Sequence, residues 1–168
     1  MSDADAVMRG RAWKFDHDIS TDLLSPGTYA VDPVEIRKLH TLESISPAFA
    51  SDVATGDVVI AGRNFGCGSS RETAAENLKA LGVGCVTAES LSRLFMRNAV
   101  AIGLPVLICA GVHEAFADGD EVVIDLAAGT ITSGDGERTL QGEALPTEMR
   151  DILDAGGILA LLDSQIAG

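Results

Sequence analysis

Between Gly62 and Glu72 the chain reads GRNFGCGSSRE. Two adjacent hydroxyls (Ser69, Ser70), a guanidinium (Arg71) and a thiol (Cys67) share this stretch with Gly62, Gly66 and Gly68. A strand-like run, DVVIA (57–61), precedes it and a helix-like run, TAAENLKAL (73–81), follows. A helix start presents free amides and the positive end of the helix dipole. The fork of an arginine matches a carboxylate. Glycines two apart let the backbone take positive φ or come close to a ligand. A hydroxyl in such a field is more acidic and can serve as an alkoxide-like base. The chemistry that fits is removal of a proton α to a carboxylate on a small polycarboxylate. No Lys follows the last glycine, so this is not a P-loop, and the third glycine of a dinucleotide fingerprint is missing.

A purely structural reading fits the same residues. Ser69 and Glu72 match the S-x-x-E capping box, with Ser69 as N-cap and its hydroxyl accepting from the Glu72 amide. Ala74, Ala75, Leu78 and Leu81 then form the core face of a helix over 70–81, ended by Gly82. A box alone marks only where a helix starts. Cys67 precedes the same helix start, where a thiolate is stabilised. A nucleophile also needs a base, and the sequence pairs none of His17, His40 or His113 with it.

The elements that must position these groups follow from periodicity. RAWKFD (11–16) reads as a strand. The polar, turn-rich segment 17–30 is long for a structureless connection, and such loops are usually functional. PVEIRKLH (33–40) reads as a short helix with an early Pro, and 46–57 as a loop or helical turn. Strands at 57–62, 84–88 and 104–110 alternate with helices at 70–81 and 90–103, which predicts βαβ units and parallel pairing. Leu91, Leu94, Phe95 and Asn98 fall on one face of the second helix. Segments 120–126, 130–133 and 138–141, joined by Gly/Asp turns, predict an antiparallel meander. A last helix is expected over 147–155, stopped by Gly156-Gly157.

The 168 residues suit one domain, and 46% hydrophobic content excludes disorder. No apolar run reaches the roughly 20 residues of a membrane span. MSDADAVMRG is acidic without an apolar stretch, so no signal peptide is expected, and a cytoplasmic location is. A net charge of −13 argues against nucleic-acid and anionic-membrane partners. The same charge leaves room for a small anion held by local donors, and a solvated surface accounts for it. The three cysteines, Cys67, Cys85 and Cys109, form no C-x-x-C pair. Neither a zinc site nor an iron–sulfur cluster held by this chain alone is indicated. Cys85 and Cys109 lie in apolar runs, as buried small hydrophobes do.

The run NFGCGSSRE, followed by RNAVAIGLPVL (97–107), resembles the small-subunit family of 3-isopropylmalate dehydratase, which corresponds to the swivelling domain of aconitase. HDISTDLLSPGTY (17–29) is similar to that family's DxxTDxxxPxxY stretch, and EALPTEMRDILDAGG (143–157) to its ending. The resemblance spans nearly the whole chain. It implies an α/β fold, a three-layer β/β/α swivelling domain over 1–168 with a mixed sheet and the Gly-rich turn at its edge. It implies a hydro-lyase of leucine biosynthesis that interconverts 2- and 3-isopropylmalate by dehydration and rehydration. A partner large subunit would carry a [4Fe–4S] cluster whose open iron binds the substrate's hydroxyl and carboxylate, in a heterodimer or heterotetramer. This chain would bind no metal; isolated, it could form a homo-oligomer.

Carried over by motif, Ser69 is the general base. Ser70 and Arg71 bind substrate carboxylate, and Asp22 orients them. Asn64, Gly66 and Gly68 shape the loop. Tyr29, Ala30 and Val31 lie toward the substrate's variable group. An Arg after Tyr29 would suit an extra carboxylate; Ala30 and Val31 favour an apolar substituent, although Arg37 could fold back. Thr73 stands where the family often has His, Ala30 where it has Leu, and SLSRLF (90–95) where it has SFARIF. These departures keep related substrates open: 2,3-dimethylmalate, citraconate or methylmalate, and homoaconitate. A non-catalytic anion-binding or scaffolding domain is the alternative of another class.

Overall fold

The computed structural model describes residues 7–167. Its frame is a seven-stranded sheet in the order β4-β3-β2-β1-β5-β6-β7. The strands are β1 (Val7–Lys14), β2 (Val58–Ala61), β3 (Cys85–Ala88), β4 (Val106–Ile108), β5 (Glu121–Asp125), β6 (Thr130–Ser133) and β7 (Thr139–Gln141). β1 to β4 pair in parallel, and β1, β5, β6 and β7 pair antiparallel. β1 therefore joins a βαβ half to a meander, which is the mixed sheet the sequence predicts.

Alternation along the parallel strands divides the core in two. Val59, Ala61, Val86, Ala88 and Val106 pack with Ala74, Leu78, Phe95 and Ala99 of the helices. Val58, Ile60, Cys85 and Leu107 pack instead with Val122, Ile124 and Ile131 of the meander. Two sheet halves thus face each other across one core and helices cover the other, giving the three layers β/β/α.

The helices are α1 (Thr21–Leu24), α2 (Val34–Arg37), α3 (Phe49–Asp52), α4 (Glu72–Ala80), α5 (Arg93–Ala101), α6 (Val112–Ala115), α7 (Thr147–Ala155) and α8 (Ile158–Ala167). Single 3-10 turns occupy Gly27–Tyr29 and Lys38–His40. α5 starts later than expected because Ser92 caps it, its hydroxyl accepting from the Phe95 amide at 3.1 Å. Leu94 is exposed while Phe95, Ala99 and Val100 are buried, so Leu94 does not belong to the core face. α7 has the expected bounds, but the chain does not stop at Gly156-Gly157. It turns there into α8, whose polar residues Asp163, Ser164 and Gln165 are consecutive and so mark no helical period.

In the parallel half Ala61 pairs with Ala88, Ala88 with Ile108 and Lys14 with Ile60, so the carboxyl ends of β1 to β4 align. The Gly-rich loop leaves β2, an interior strand, so it is not a turn off an edge strand. It lies at the aligned carboxyl ends, beside the loop that leaves β1. In open α/β sheets, ligands gather at this end.

Candidate functional site

Two loops close on each other over the ends of β1 and β2. The Gly66 amide donates to the Ile19 carbonyl at 2.7 Å, and the Thr21 amide to the Cys67 carbonyl at 2.8 Å. Ser20 and Cys67 form a parallel bridge. Ser20 also caps α1, its hydroxyl accepting from the Leu23 amide at 3.1 Å. The segment 17–29 is therefore not a structureless loop but a second wall of the Gly-rich loop.

Each loop-shaping residue has a physical reason. Gly66 has φ +81°, and a Cβ there would overlap Phe95. Gly68 has φ +101°, but such a Cβ would meet Thr21 Oγ1 at 3.4 Å and Ser20 Cβ at 3.9 Å, without overlap. Asn64 takes φ +63°, which Asn tolerates, with its amide on the Ser90 hydroxyl (2.7 Å) and its side-chain NH2 on Asp18 (3.0 Å). The His17 Nδ1 accepts from the Arg63 amide at 2.7 Å, fixing the loop's entry.

The capping box does not form. α4 begins at Glu72 with Arg71 as N-cap, and no side chain caps it. The Arg71 amide instead turns back to the Ser69 carbonyl at 2.9 Å. Ser69 thus stands in a tight turn ahead of the helix and its hydroxyl is not spent on a cap. Ser69 and Ser70 are exposed, and Ser70 makes no hydrogen bond among the described residues. The Ser69 carbonyl accepts from the Thr21 hydroxyl at 2.9 Å, and the Ser69 Oγ lies 3.4 Å from the Thr21 Oγ1.

Arg71 is 34% exposed at its side chain. Its Nη1 donates to Asp22 Oδ1 and to the Ser25 carbonyl, both at 2.9 Å. Both Nη1 protons are thereby used, and Nε and Nη2 make no bond among the described residues, which leaves that edge of the fork without a partner there. Asp22 Oδ1 also accepts from the Gly27 amide at 3.3 Å. Behind them the Ser25 hydroxyl donates to the Thr73 hydroxyl at 2.7 Å. Thr73, noted only as a departure from the family pattern, thus anchors the loop that holds Arg71.

The remaining sequence-selected residues lie along the chain from this group. Tyr29 stacks on His40 with ring centroids 3.6 Å apart and planes 7° apart. His40 in turn meets Glu43 at 2.7 Å. Ala30 is exposed and Val31 is 96% exposed. Arg37 does fold back, but into the protein. It is buried, with Nε on the Asp32 carbonyl (2.9 Å), Nη1 on Asn77 (3.1 Å) and Nη2 on Glu76 (2.9 Å). Its charge is committed, so it is not a free ligand for a substrate carboxylate.

Sequence reasoning missed Thr21, Ser25 and Asn77, three buried polar residues that tie the two loops to α4. STD (20–22) drew attention only to Asp22 because its charge was the visible feature. Cys67 is partly buried, and His17, His40 and His113 are each engaged elsewhere, His113 with Asp16 at 3.2 Å. A groove of about 490 Å³ lies beyond α4, lined by Glu72, Glu76, Ile102 and the α7–α8 turn; Ser69, Ser70 and Arg71 are not part of it.

No group of three or more metal-ligating side chains converges among the described residues. Burial pushes the Cys85 thiol up to about 12 and also raises Cys109, where the charge of Glu89 adds to burial. No helix among the described residues is long and apolar enough to cross a membrane.

The profile of the aconitase C-terminal domain family matches residues 40–109. The 3-isopropylmalate dehydratase small subunit 1 of Methanopyrus kandleri is 46% identical over 158 residues, covering 93% of this chain and 92% of that protein. The isopropylmalate/citramalate isomerase small subunit of Methanocaldococcus jannaschii is 40% identical over 164 residues, covering 96% of this chain and 97% of that one. A crystal structure of 3-isopropylmalate dehydratase from the same organism superposes with a TM-score of 0.90 at 37% identity, over 96% of each chain. Fold, loop sequence and near-complete coverage agree, and the chain belongs to the family of 3-isopropylmalate dehydratase small subunits, built on the aconitase C-terminal fold.

Proposed function

We propose that this chain, as one swivel domain, is the small subunit of a hydro-lyase that interconverts 2- and 3-isopropylmalate. It works only with a large subunit that carries a [4Fe–4S] cluster. The observation that carries this reading is the placement of Ser69, Ser70 and a pre-oriented Arg71 on the open surface where β1 and β2 end.

In this reading the free edge of Arg71 and the Ser70 hydroxyl hold a substrate carboxylate. Ser69 takes the proton from the carbon α to it, and Asp22 keeps Arg71 aimed. When bound, the cluster supplies a Lewis-acidic iron for the hydroxyl that leaves and returns. In this reading its home is the large subunit; the three cysteines here, Cys67, Cys85 and Cys109, sit on the Gly-rich loop, on β3 and just after β4, without the clustered spacing of cluster ligands. An apolar substituent suits Ala30 and Val31, exposed here on the turn that follows α1, and Arg37, engaged inside the protein, is not the cation that homoaconitate would need.

The test is reconstitution with the large subunit and an assay on 2-isopropylmalate, citramalate, 2,3-dimethylmalate and homoaconitate. Preferred turnover of 2-isopropylmalate is expected. Preference for homoaconitate sinks the substrate assignment, and no turnover of any of the four favours a non-catalytic anion-binding or scaffolding role. Ser69→Ala should cost roughly a hundred- to ten-thousand-fold in kcat while the two chains still co-elute. Near-normal rates in that variant remove Ser69 as the base.

A further inference from the structure

Thr21 is 3% exposed and held at three points. Its amide donates to the Cys67 carbonyl and its carbonyl accepts from the Ser25 amide, both at 2.8 Å. Its hydroxyl donates to the Ser69 carbonyl at 2.9 Å and lies 3.4 Å from the Ser69 Oγ. A threonine hydroxyl has one proton and two lone pairs. With that proton on the Ser69 carbonyl, the second contact runs the other way, Ser69 donating to Thr21. When Ser69 gives up its proton to a solvent hydroxide, which becomes water, the alkoxide becomes the stronger acceptor, because charge-assisted bonds are about twice as strong as neutral ones. A turn of one hydroxyl then moves the Thr21 proton from the carbonyl to the Oγ of the same residue.

We propose that Thr21 is a positioning residue for the base: its buried hydroxyl alternates between the two oxygens of Ser69 and stabilises the deprotonated serine that accepts the substrate's α-proton. The proposal rests on the reading of Ser69 as the base. Once Ser69 has lost its first proton to solvent hydroxide, the proton count closes between substrate and the pair. The substrate C–H bond breaks, its electrons stay on carbon, and the proton forms the Ser69 O–H. Ser69 then donates to Thr21, and the Thr21 proton returns to the Ser69 carbonyl. No proton leaves Thr21, and the reverse direction retraces the same steps.

Charged groups on the neighbouring segments are Asp22 on α1, Arg71 on the loop itself and Glu72 at the start of α4, with the Cys67 thiol two residues before Ser69. Asp22 and Arg71 bond each other at 2.9 Å, so their fields partly cancel at Ser69. A short-range neutral donor therefore has room to matter.

The experiment uses the reconstituted two-subunit enzyme and 2-isopropylmalate, with kcat and KM followed from about pH 6 to pH 10. Thr21→Val keeps the shape and removes the hydroxyl. It is expected to lower kcat about 10- to 100-fold, leave KM within about twofold, and move the rising limb of kcat up by about one pH unit. Thr21→Ser should restore both rate and limb. If Thr21→Val does not assemble, Thr21→Ser against Thr21→Ala isolates the same hydroxyl. An unchanged limb in the hydroxyl-free variant, or a loss confined to KM, overturns the proposal. An inactive Ser69→Ala beside a normal Thr21→Val removes this inference alone, whereas an active Ser69→Ala removes the base assignment and the inference with it.

Discussion

Arg71 Nη1 and Asp22 Oδ1 stand 2.9 Å apart, although the two residues are 49 positions apart in the chain. One belongs to the loop after β2 and the other to α1 after β1, and parallel pairing of β1 with β2 brings the loops side by side. The second Nη1 bond, to the Ser25 carbonyl, fixes the plane of the guanidinium. A side chain held this way presents a fork without first losing rotamer freedom on binding.

Asp22→Asn should therefore act on catalysis more than on stability. Both side chains are partly exposed, and a pair of that kind contributes about 0–1 kcal/mol to folding. An amide oxygen still accepts from Arg71 but no longer neutralises it. We expect an unfolding midpoint close to the parent and kcat/KM down by about tenfold or more, since charged hydrogen bonds are worth about 1.5–3 kcal/mol. Steady-state kinetics of the two-subunit enzyme, beside a urea melt of the isolated chain, separate the two effects. A melt that falls as far as the kinetics would make Asp22 a structural residue.

Arg37→Ala should do the reverse. Removing the guanidinium strands Asn77 and the Asp32 carbonyl and leaves Glu76 without its cation. Asn77 also donates to the Leu24 carbonyl at 3.2 Å, so the wall carrying Asp22 loosens with it. A loss of about 2–4 kcal/mol is expected in equilibrium unfolding. A change below about 0.5 kcal/mol, typical of free surface positions, would show that Arg37 is not anchored as described.

Much of this was legible beforehand, and what was not has identifiable causes. The β6 strand and α7 lie within their expected bounds because turn residues and a Pro bracket them locally. The Gly-rich loop was legible because its residue types restrict its chemistry. The capping box failed because Ser69 is recruited by Thr21, 48 residues away, and a local pattern cannot report that competition. The burial of Arg37 depends on Asn77, 40 residues away, for the same reason. α8 was missed because the polar residues of ILALLDSQIA are three in a row rather than at helical spacing, and paired glycines before it read as an end.

Gly66→Ala and Gly68→Ala should differ sharply although both positions have positive φ. At Gly66 the added methyl meets the Cβ of the buried Phe95, which cannot swing aside, so steric overlap adds to backbone strain. At Gly68 only the strain is added, about 1–2 kcal/mol for a non-glycine residue in left-handed space. We expect Gly66→Ala to lose about 3 kcal/mol or more and Gly68→Ala to fold but turn over slowly. Parallel melts of the two variants check this, and equal destabilisation would contradict the close approach of Phe95.

Cys85 should make the protein weaker in alkali. Burial raises its pKa in the folded chain from the ordinary thiol value of 9.0 to about 12, while the unfolded chain titrates near the lower value. Below pH 9 both states keep the proton and the group contributes no pH dependence. Between about 9 and 12 the unfolded state loses its proton and the folded state keeps it, so unfolding is favoured as pH rises. The slope from this one thiol is about 1.4 kcal/mol per pH unit at its steepest. Denaturant melts at pH 8, 9 and 10 should show Cys85→Ala losing less stability across this range than the parent, by about 1 kcal/mol. The variant starts from a lower value at pH 8, because a buried side chain has been shortened, so the comparison rests on the slopes. Parallel slopes in the two proteins would mean that Cys85 ionises in the folded chain as readily as in the unfolded one, against its complete burial between β2 and β4.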